Sequence, residues 1–176
     1  MSLIIAKVIE KKVEAICDGY RFKGQTLVNN DIEKIIKVNE DTIVGGVGCS
    51  FLLDVFKDYC INNYPKLMTE NLNRDFLLKF VNDFLQELIT KYNKLKIDES
   101  DLMFITKKGI FSYTVYDDMS FIPIEYDGCN KLALGVGRDY ANSLLDLDID
   151  LETIMNKCLE KFPSLGGKIT KIKIEF

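Results

Sequence analysis

Apolar residues run together or alternate with polar ones in two pairs of short segments near the start of the chain. The β-branched-rich runs Leu3–Ile9 and Val13–Cys17 are separated by three charged residues, which predicts a hairpin. Ile32–Val38 alternates, an Asn-Glu-Asp turn follows, and Thr42–Val47 runs apolar into glycines, which predicts a second hairpin. The chain therefore opens with four predicted strands.

Helical spacing replaces this pattern farther along the chain. In Cys49–Ile61 and Asp75–Tyr92 the apolar residues recur every three or four positions, which predicts two amphipathic helices. Further strands are predicted at Leu102–Thr106, Ile110–Val115, Phe121–Glu125, Lys131–Leu134 and Ile169–Ile174, and further helices at Asp139–Leu145 and Leu151–Phe162. Because strands and helices are grouped and do not alternate as βαβ units, the pattern favours an α+β layered fold, with residues 1–176 as a single domain.

Composition argues against several classes of function. Hydrophobic residues make up 47% and charged residues 28% of the chain, which is typical of a globular protein. The formal net charge of −4 and the lack of a basic run argue against nucleic acid as a partner. The apolar stretches are too short to span a bilayer, so we expect no membrane segment.

Cysteine usage and the first residues indicate a cellular location. The five cysteines are an odd number and form no CxxC pair, so the sequence predicts neither a disulfide framework nor a zinc site. Residues 1–12 lack the basic start and the sustained apolar centre of a secretory signal. We therefore expect a cytoplasmic protein.

The chain contains no histidine, and this limits its chemistry. Without imidazole it cannot form a Ser-His-Asp triad, a Cys-His pair or an HExxH zinc site. The bases that are left are lysine, the carboxylates and the α-amine, whose ordinary pKa of about 7.7–8.0 is already close to neutrality. A nucleophile at the N-terminus can use its own amine as the base, and Ser2 takes that position once Met1 is removed. A small second residue such as serine is the circumstance in which we expect that removal.

At this point the sequence resembles a known family. The segments that carry the resemblance are Ser2–Val8, Asp18-Gly19, Gly24–Asn30, Lys34 and Gly45–Gly48. They are similar, without a gap, to the opening of HslV and of proteasome β-subunits, which has a nucleophilic threonine, an Asp-Gly pair, a Gly-Asn-Thr-Val stretch, a catalytic lysine and a glycine-rich strand end. The resemblance is close over about the first third of the chain and extends to the rest only as the order of elements.

The resemblance implies a four-layer αββα sandwich, the fold of the N-terminal-nucleophile (Ntn) hydrolases, and a role for each matched residue. Ser2 is placed at the nucleophile, with Asp18 and Lys34 as the acidic and basic residues beside it and the Gly46 N–H as a donor to the oxyanion hole. In these roles the Lys34 charge would lower the pKa of the Ser2 hydroxyl, and Asp18 would orient Lys34. The Gly46 amide would stabilise the tetrahedral oxyanion.

The resemblance also implies an assembly and a substrate. The family forms rings of like subunits that cleave peptide bonds, so a homo-oligomeric ring, a peptide or protein substrate and a partner ATP-dependent unfoldase are expected, with no cofactor. Two other interpretations stay open. One is a catalytically inactive member in which the fold serves assembly or binding, and the other is an amidohydrolase of small molecules, since the same chemistry cleaves other amides.

Overall fold

Two antiparallel sheets form the centre of the protein, as seen in a computed structural model that describes residues 2–10, 12–68, 72–92 and 96–176. The first sheet contains, in spatial order, Lys131–Gly135 (β10), Leu3–Ile9 (β1), Lys12–Cys17 (β2) and Thr170–Glu175 (β11). The second contains Ile35–Lys37 (β5), Thr42–Val47 (β6), Ser100–Thr106 (β7), Gly109–Val115 (β8) and Phe121–Cys129 (β9). A small hairpin, Arg21–Lys23 (β3) and Thr26–Asn29 (β4), lies apart from both.

Two of the α-helices in the described part of the chain begin after a residue whose side chain caps the first turn. The bounds of the helices are Ser50–Asn62 (α1), Arg74–Lys91 (α2), Arg138–Asp146 (α3) and Leu151–Lys161 (α4), with a short 3-10 helix at Tyr64–Leu67. The side chains of Asn73 and Asp150 accept hydrogen bonds from backbone N–H groups in the first turns of α2 and α4, which would otherwise lack partners. In the described part of the chain, no helix is long and apolar enough to cross a membrane.

Buried aromatic rings join the first pair of helices to the second sheet. Phe56 of α1 lies 5.4 Å, centroid to centroid, from both Phe84 of α2 and Phe104 of β7. On the other face of that sheet, Met103 packs with Ile4 of β1 in the cluster between the sheets. Because side chains alternate along a strand, β7 contributes to both layers of core.

A further buried cluster joins the first sheet to the second pair of helices. Leu3 and Ile5 of β1 pack there with Leu145 of α3 and Ile154 of α4. The first four residues of β1, Leu3 to Ala6, are thus buried on both faces, which is why they form a continuous apolar run in the sequence. The layers follow the order helices, sheet, sheet, helices, so the predicted four-layer αββα sandwich is confirmed.

The predicted elements are present, with bounds that differ by a few residues. The difference that bears on the site is in the predicted strand Ile32–Val38, where only Ile35–Lys37 pairs with β6. Lys34 therefore lies just before a strand and is buried, whereas the alternating pattern around it is that of an ordinary exposed strand lysine. The hairpin of β3 and β4 was not predicted, because its short strands are mostly exposed and carry no period-2 apolar face.

Candidate active site

A buried ion pair lies at one edge of the sandwich, where β2 ends and β5 begins. The Lys34 Nζ lies 2.5 Å from Asp18 Oδ1, and these side chains are 5% and 0% exposed. The same carboxylate accepts hydrogen bonds from the N–H of Leu3, at 2.8 Å, and of Tyr20, at 3.3 Å. Asp18 is therefore held in one orientation by the start of β1 and by its own loop. This pairing brings together two of the residues that the sequence predicts for the site.

Burial changes the pKa of the lysine in this pair. It lowers the pKa of the Lys34 ammonium below the ordinary lysine value, and the adjacent Asp18 carboxylate, which favours the charged form, offsets only part of that effect. A lysine with a lowered pKa gives up its proton more readily near neutral pH than an exposed one does. The arrangement suits Lys34 to proton exchange with a neighbouring group.

Ser2 lies directly before β1 and borders the same cavity as Lys34. Its carbonyl oxygen accepts a hydrogen bond from the Val136 N–H at 2.8 Å, which ties the N-terminal end of the described chain to the loop after β10. Gly135 makes this approach feasible, because a Cβ there would lie 2.0 Å from the Ser2 oxygen and its φ is +97°. Met1, whose removal the predicted chemistry requires, lies outside the described residues.

Gly46 lies within β6, where its N–H donates to the carbonyl oxygen of Lys34 at 3.3 Å. A Cβ at this position would lie 2.4 Å from the Asp101 carbonyl oxygen and 2.5 Å from Leu53 Cδ2, so close packing alone requires a glycine. The part of this glycine-rich segment that borders the cavity is Gly48, followed by Cys49. The role of Gly46 as an oxyanion donor stays a prediction, and it requires the bond to Lys34 to open.

The cavity beside Ser2 has a volume of about 270 Å³. It lies between the β3–β4 hairpin, the segment before β5 and the first turns of α1. Sequence reasoning missed its charged wall, which consists of Arg21, Asp54 and Lys57. The one signal that pointed to it was Asp54, which interrupts the otherwise apolar segment Phe51–Phe56.

These three side chains form a network. Arg21 Nη2 lies 2.9 Å from Asp54 Oδ2, and Lys57 Nζ lies 3.0 Å from Asp54 Oδ1. Burial by itself would raise the pKa of Asp54, but the hydrogen bonds from Lys57 and Arg21 outweigh it, so the pKa lies below its ordinary value. Asp54 is therefore ionised at neutral pH, between two cations. The residues that the structure describes contain no group of three or more Cys, Asp or Glu side chains placed to hold a metal ion.

The layered architecture is the four-layer αββα sandwich that the resemblance of the opening residues implies. The chain is similar in structure to eukaryotic HslV from Trypanosoma brucei, with a TM-score of 0.62 over 99% of this chain and 99% of that one, at 15% sequence identity. At this identity the likeness shows the fold alone. No protein-family model matches the chain, and no curated protein matches it.

Proposed function

We propose that the protein is a peptidase subunit of the HslV and proteasome kind, in which Ser2 becomes the N-terminal nucleophile after Met1 is removed. The observation that supports this most is the buried pair of Lys34 and Asp18, because Lys34 of this pair borders the cavity that Ser2 also lines. A buried ion pair is expensive to maintain and is a weak source of stability, so its presence at the cavity that a half-buried serine also borders favours a chemical role.

The proposed reaction uses the free α-amine as the base. The Ser2 hydroxyl proton passes to that amine, directly or through a water, while Oγ forms a bond to the carbonyl carbon of the substrate. Lys34 stabilises the developing alkoxide, and Asp18 keeps Lys34 in place. The Gly46 N–H would serve the oxyanion once it has left the Lys34 carbonyl. When the tetrahedral intermediate collapses, the C–N bond breaks and the amine returns its proton to the leaving nitrogen. Water then hydrolyses the ester.

The proposal extends to assembly. The chain would fold as one domain and assemble into a cytoplasmic homo-oligomeric ring. An ATP-dependent unfoldase would deliver the peptide or protein substrate to that ring. Two exposed isoleucines support a subunit contact: Ile122 and Ile124 are 50% and 40% exposed on β9, at the edge of its sheet. Apolar side chains placed together at a sheet edge are characteristic of interaction surfaces.

The test starts with the N-terminus. Intact mass of the purified protein should show that Met1 is absent, and fluorogenic peptides should then be hydrolysed. Ser2→Ala should abolish turnover, whereas Ser2→Thr should retain it because the hydroxyl is kept. Lys34→Met should lower kcat by about 100-fold or more, the range of a lost group that stabilises charge in the transition state.

Other outcomes decide between the alternatives. Turnover that survives Ser2→Ala contradicts the proposed nucleophile. Hydrolysis of small amides without hydrolysis of peptides supports the amidohydrolase. A uniformly retained Met1 with no turnover of either kind supports the inactive form that serves assembly or binding.

A further inference from the structure

The charged side chains around the cavity beside Ser2 differ in exposure between its wall and its rim. On the wall, the side chains of Arg21 and Lys57 are only 29% and 15% exposed. The other charged groups that border the cavity, apart from Lys34 and Asp54, are exposed at the rim: Lys23, Glu33 and Asp98. Exposed charges are screened by water and salt, so the wall determines which charge the cavity accepts.

The wall has an excess of one positive charge. Arg21 and Lys57 share the single carboxylate of Asp54, while Lys34 is matched by Asp18 outside the cavity. Both oxygens of Asp54 are occupied by these partners. The wall therefore keeps a net positive charge, with about half of the acceptor sites of Asp54 already used by these two cations.

Arg21 is the donor that is free to bind a ligand. Lys57 Nζ already donates to Asp54 and also to the Glu33 carbonyl oxygen, at 2.7 Å. Within the described part of the chain, the Arg21 guanidinium makes one hydrogen bond, to Asp54, out of the five that its N–H groups offer. A guanidinium with several open N–H groups matches a carboxylate in charge and in geometry.

The apolar part of the wall suits the methylene groups of a side chain. Phe22 and Ile32 are half-buried and Leu53 is buried, and all three border the cavity. A volume of about 270 Å³ accommodates one side chain of moderate size together with water. The cavity thus combines apolar walls with an excess of one positive charge.

We propose that this cavity binds an acidic side chain of the substrate, with the carboxylate on the Arg21 guanidinium, so that the peptide bond on the carbonyl side of glutamate or aspartate is presented to Ser2. The inference rests on the proposed function, because it takes the attack of Ser2 on that carbonyl as given. The substrate residue whose carbonyl carbon Ser2 attacks lies next to Ser2. Its side chain is therefore the one closest to the cavity that Ser2 borders. Arg21 is then the specificity-determining residue.

Binding tests the inference without depending on turnover. Fluorescence anisotropy would compare two labelled peptides on the Ser2→Ala protein, one with a C-terminal glutamate amide and one with the neutral isostere, glutamine amide. The glutamate peptide should bind about 10-fold to 100-fold more tightly, the range of charge-assisted hydrogen bonds. Arg21→Met should remove that preference, so that the glutamate peptide binds no more tightly than the glutamine peptide.

Two further variants control for net charge and for folding. Lys157→Met removes one positive charge from the remote, exposed face of α4 and should keep the preference. Arg21→Glu keeps a polar side chain at the position and should favour a peptide that ends in lysine amide. Equal affinity for the glutamate and glutamine peptides, binding of neither, or a preference that survives Arg21→Met overturns the inference.

Turnover separates this inference from the proposed function. The protein with an intact Ser2 should cleave a fluorogenic peptide after glutamate with a kcat/KM about 10-fold or more above that for glutamine. Absent turnover, together with an Arg21-dependent binding preference, contradicts the peptidase and leaves the recognition of acidic side chains in place. Turnover that depends on Ser2 but ignores glutamate contradicts only the specificity.

Discussion

At the scale of single residues, the site depends on a charge that is buried and paired. Asp18 is fully buried, and it holds Lys34, the N–H of Leu3 and the N–H of Tyr20 at once. The carboxylate thus links the loop after β2, the start of β1 and the segment before β5. A change at either partner of the ion pair therefore affects the folding of this edge as well as its chemistry.

Removing only the lysine should be strongly destabilising. Lys34→Met leaves the Asp18 carboxylate buried without its counter-charge, and we expect the free energy of unfolding to fall by about 3–5 kcal/mol. The double variant Asp18→Asn with Lys34→Met should recover most of this loss, because no buried charge is left and the amide oxygen still accepts from Leu3. Urea unfolding of both variants measures the difference. A double variant no more stable than Lys34→Met would show that the unpaired charge is not the cause.

At the scale of elements, the hairpin of β3 and β4 has the largest effect on the site. It carries Arg21 into the cavity, although its strands contribute little to the buried core. Its position is held instead by polar contacts, such as that between Arg21 and Asp54 of α1. Elements held in this way are not evident from hydrophobic periodicity.

A second polar contact joins the turn between α3 and α4 to the first sheet. Asp148 Oδ1 lies 2.7 Å from Lys131 Nζ of β10 and 3.0 Å from Lys7 Nζ of β1. The hydrogen bonds from Lys131 and then Lys7 lower the pKa of Asp148 to about 2. Since the folded-state pKa is depressed, the stabilisation is complete well above the ordinary aspartate pKa of about 3.9 and is lost as the pH falls through about 2.

The pH dependence of stability checks this contact. The difference in unfolding free energy between the native protein and Asp148→Asn should be constant from about pH 5 to neutrality and should shrink towards zero near pH 2. Asparagine is a suitable replacement because position 148 has a φ of +57°, which asparagine tolerates. Added salt should reduce the difference, since the carboxylate is 74% exposed. A difference that does not change with pH would mean that the charge of Asp148 is not responsible.

At the scale of the whole molecule, the edge of the second sheet bears on assembly. Strand β9 has β8 as its partner within the sheet, and Ile122 and Ile124 project from it into solvent. If these isoleucines contact a neighbouring subunit, Ile122→Lys with Ile124→Lys should shift the protein from a ring to smaller species in light scattering. Ile61→Lys, at an equally exposed isoleucine of α1, should leave the ring intact. A protein that is monomeric before any change contradicts the ring.

Comparing the individual elements with their predictions shows which features hydrophobic periodicity can predict. The long helix α2 and the hairpin of β1 and β2 are predicted with nearly their observed bounds, because their apolar residues repeat at the period of the element. Lys34 lies on an alternating segment, and alternation alone indicates an exposed lysine. Its burial depends on Asp18, a residue distant in sequence, and only the resemblance to a family suggested that pairing.

The sequence by itself determined the class of fold and the residues that had to be considered for chemistry. Hydrophobic spacing is a local property, and the lack of histidine leaves few bases to choose from. Only the tertiary structure decided that Asp18 and Lys34 form a buried pair, that the Gly46 N–H is bound to the Lys34 carbonyl, and which charges line the cavity. The physical reason is that burial and ion pairing depend on distances between segments far apart in the chain, which local patterns do not encode.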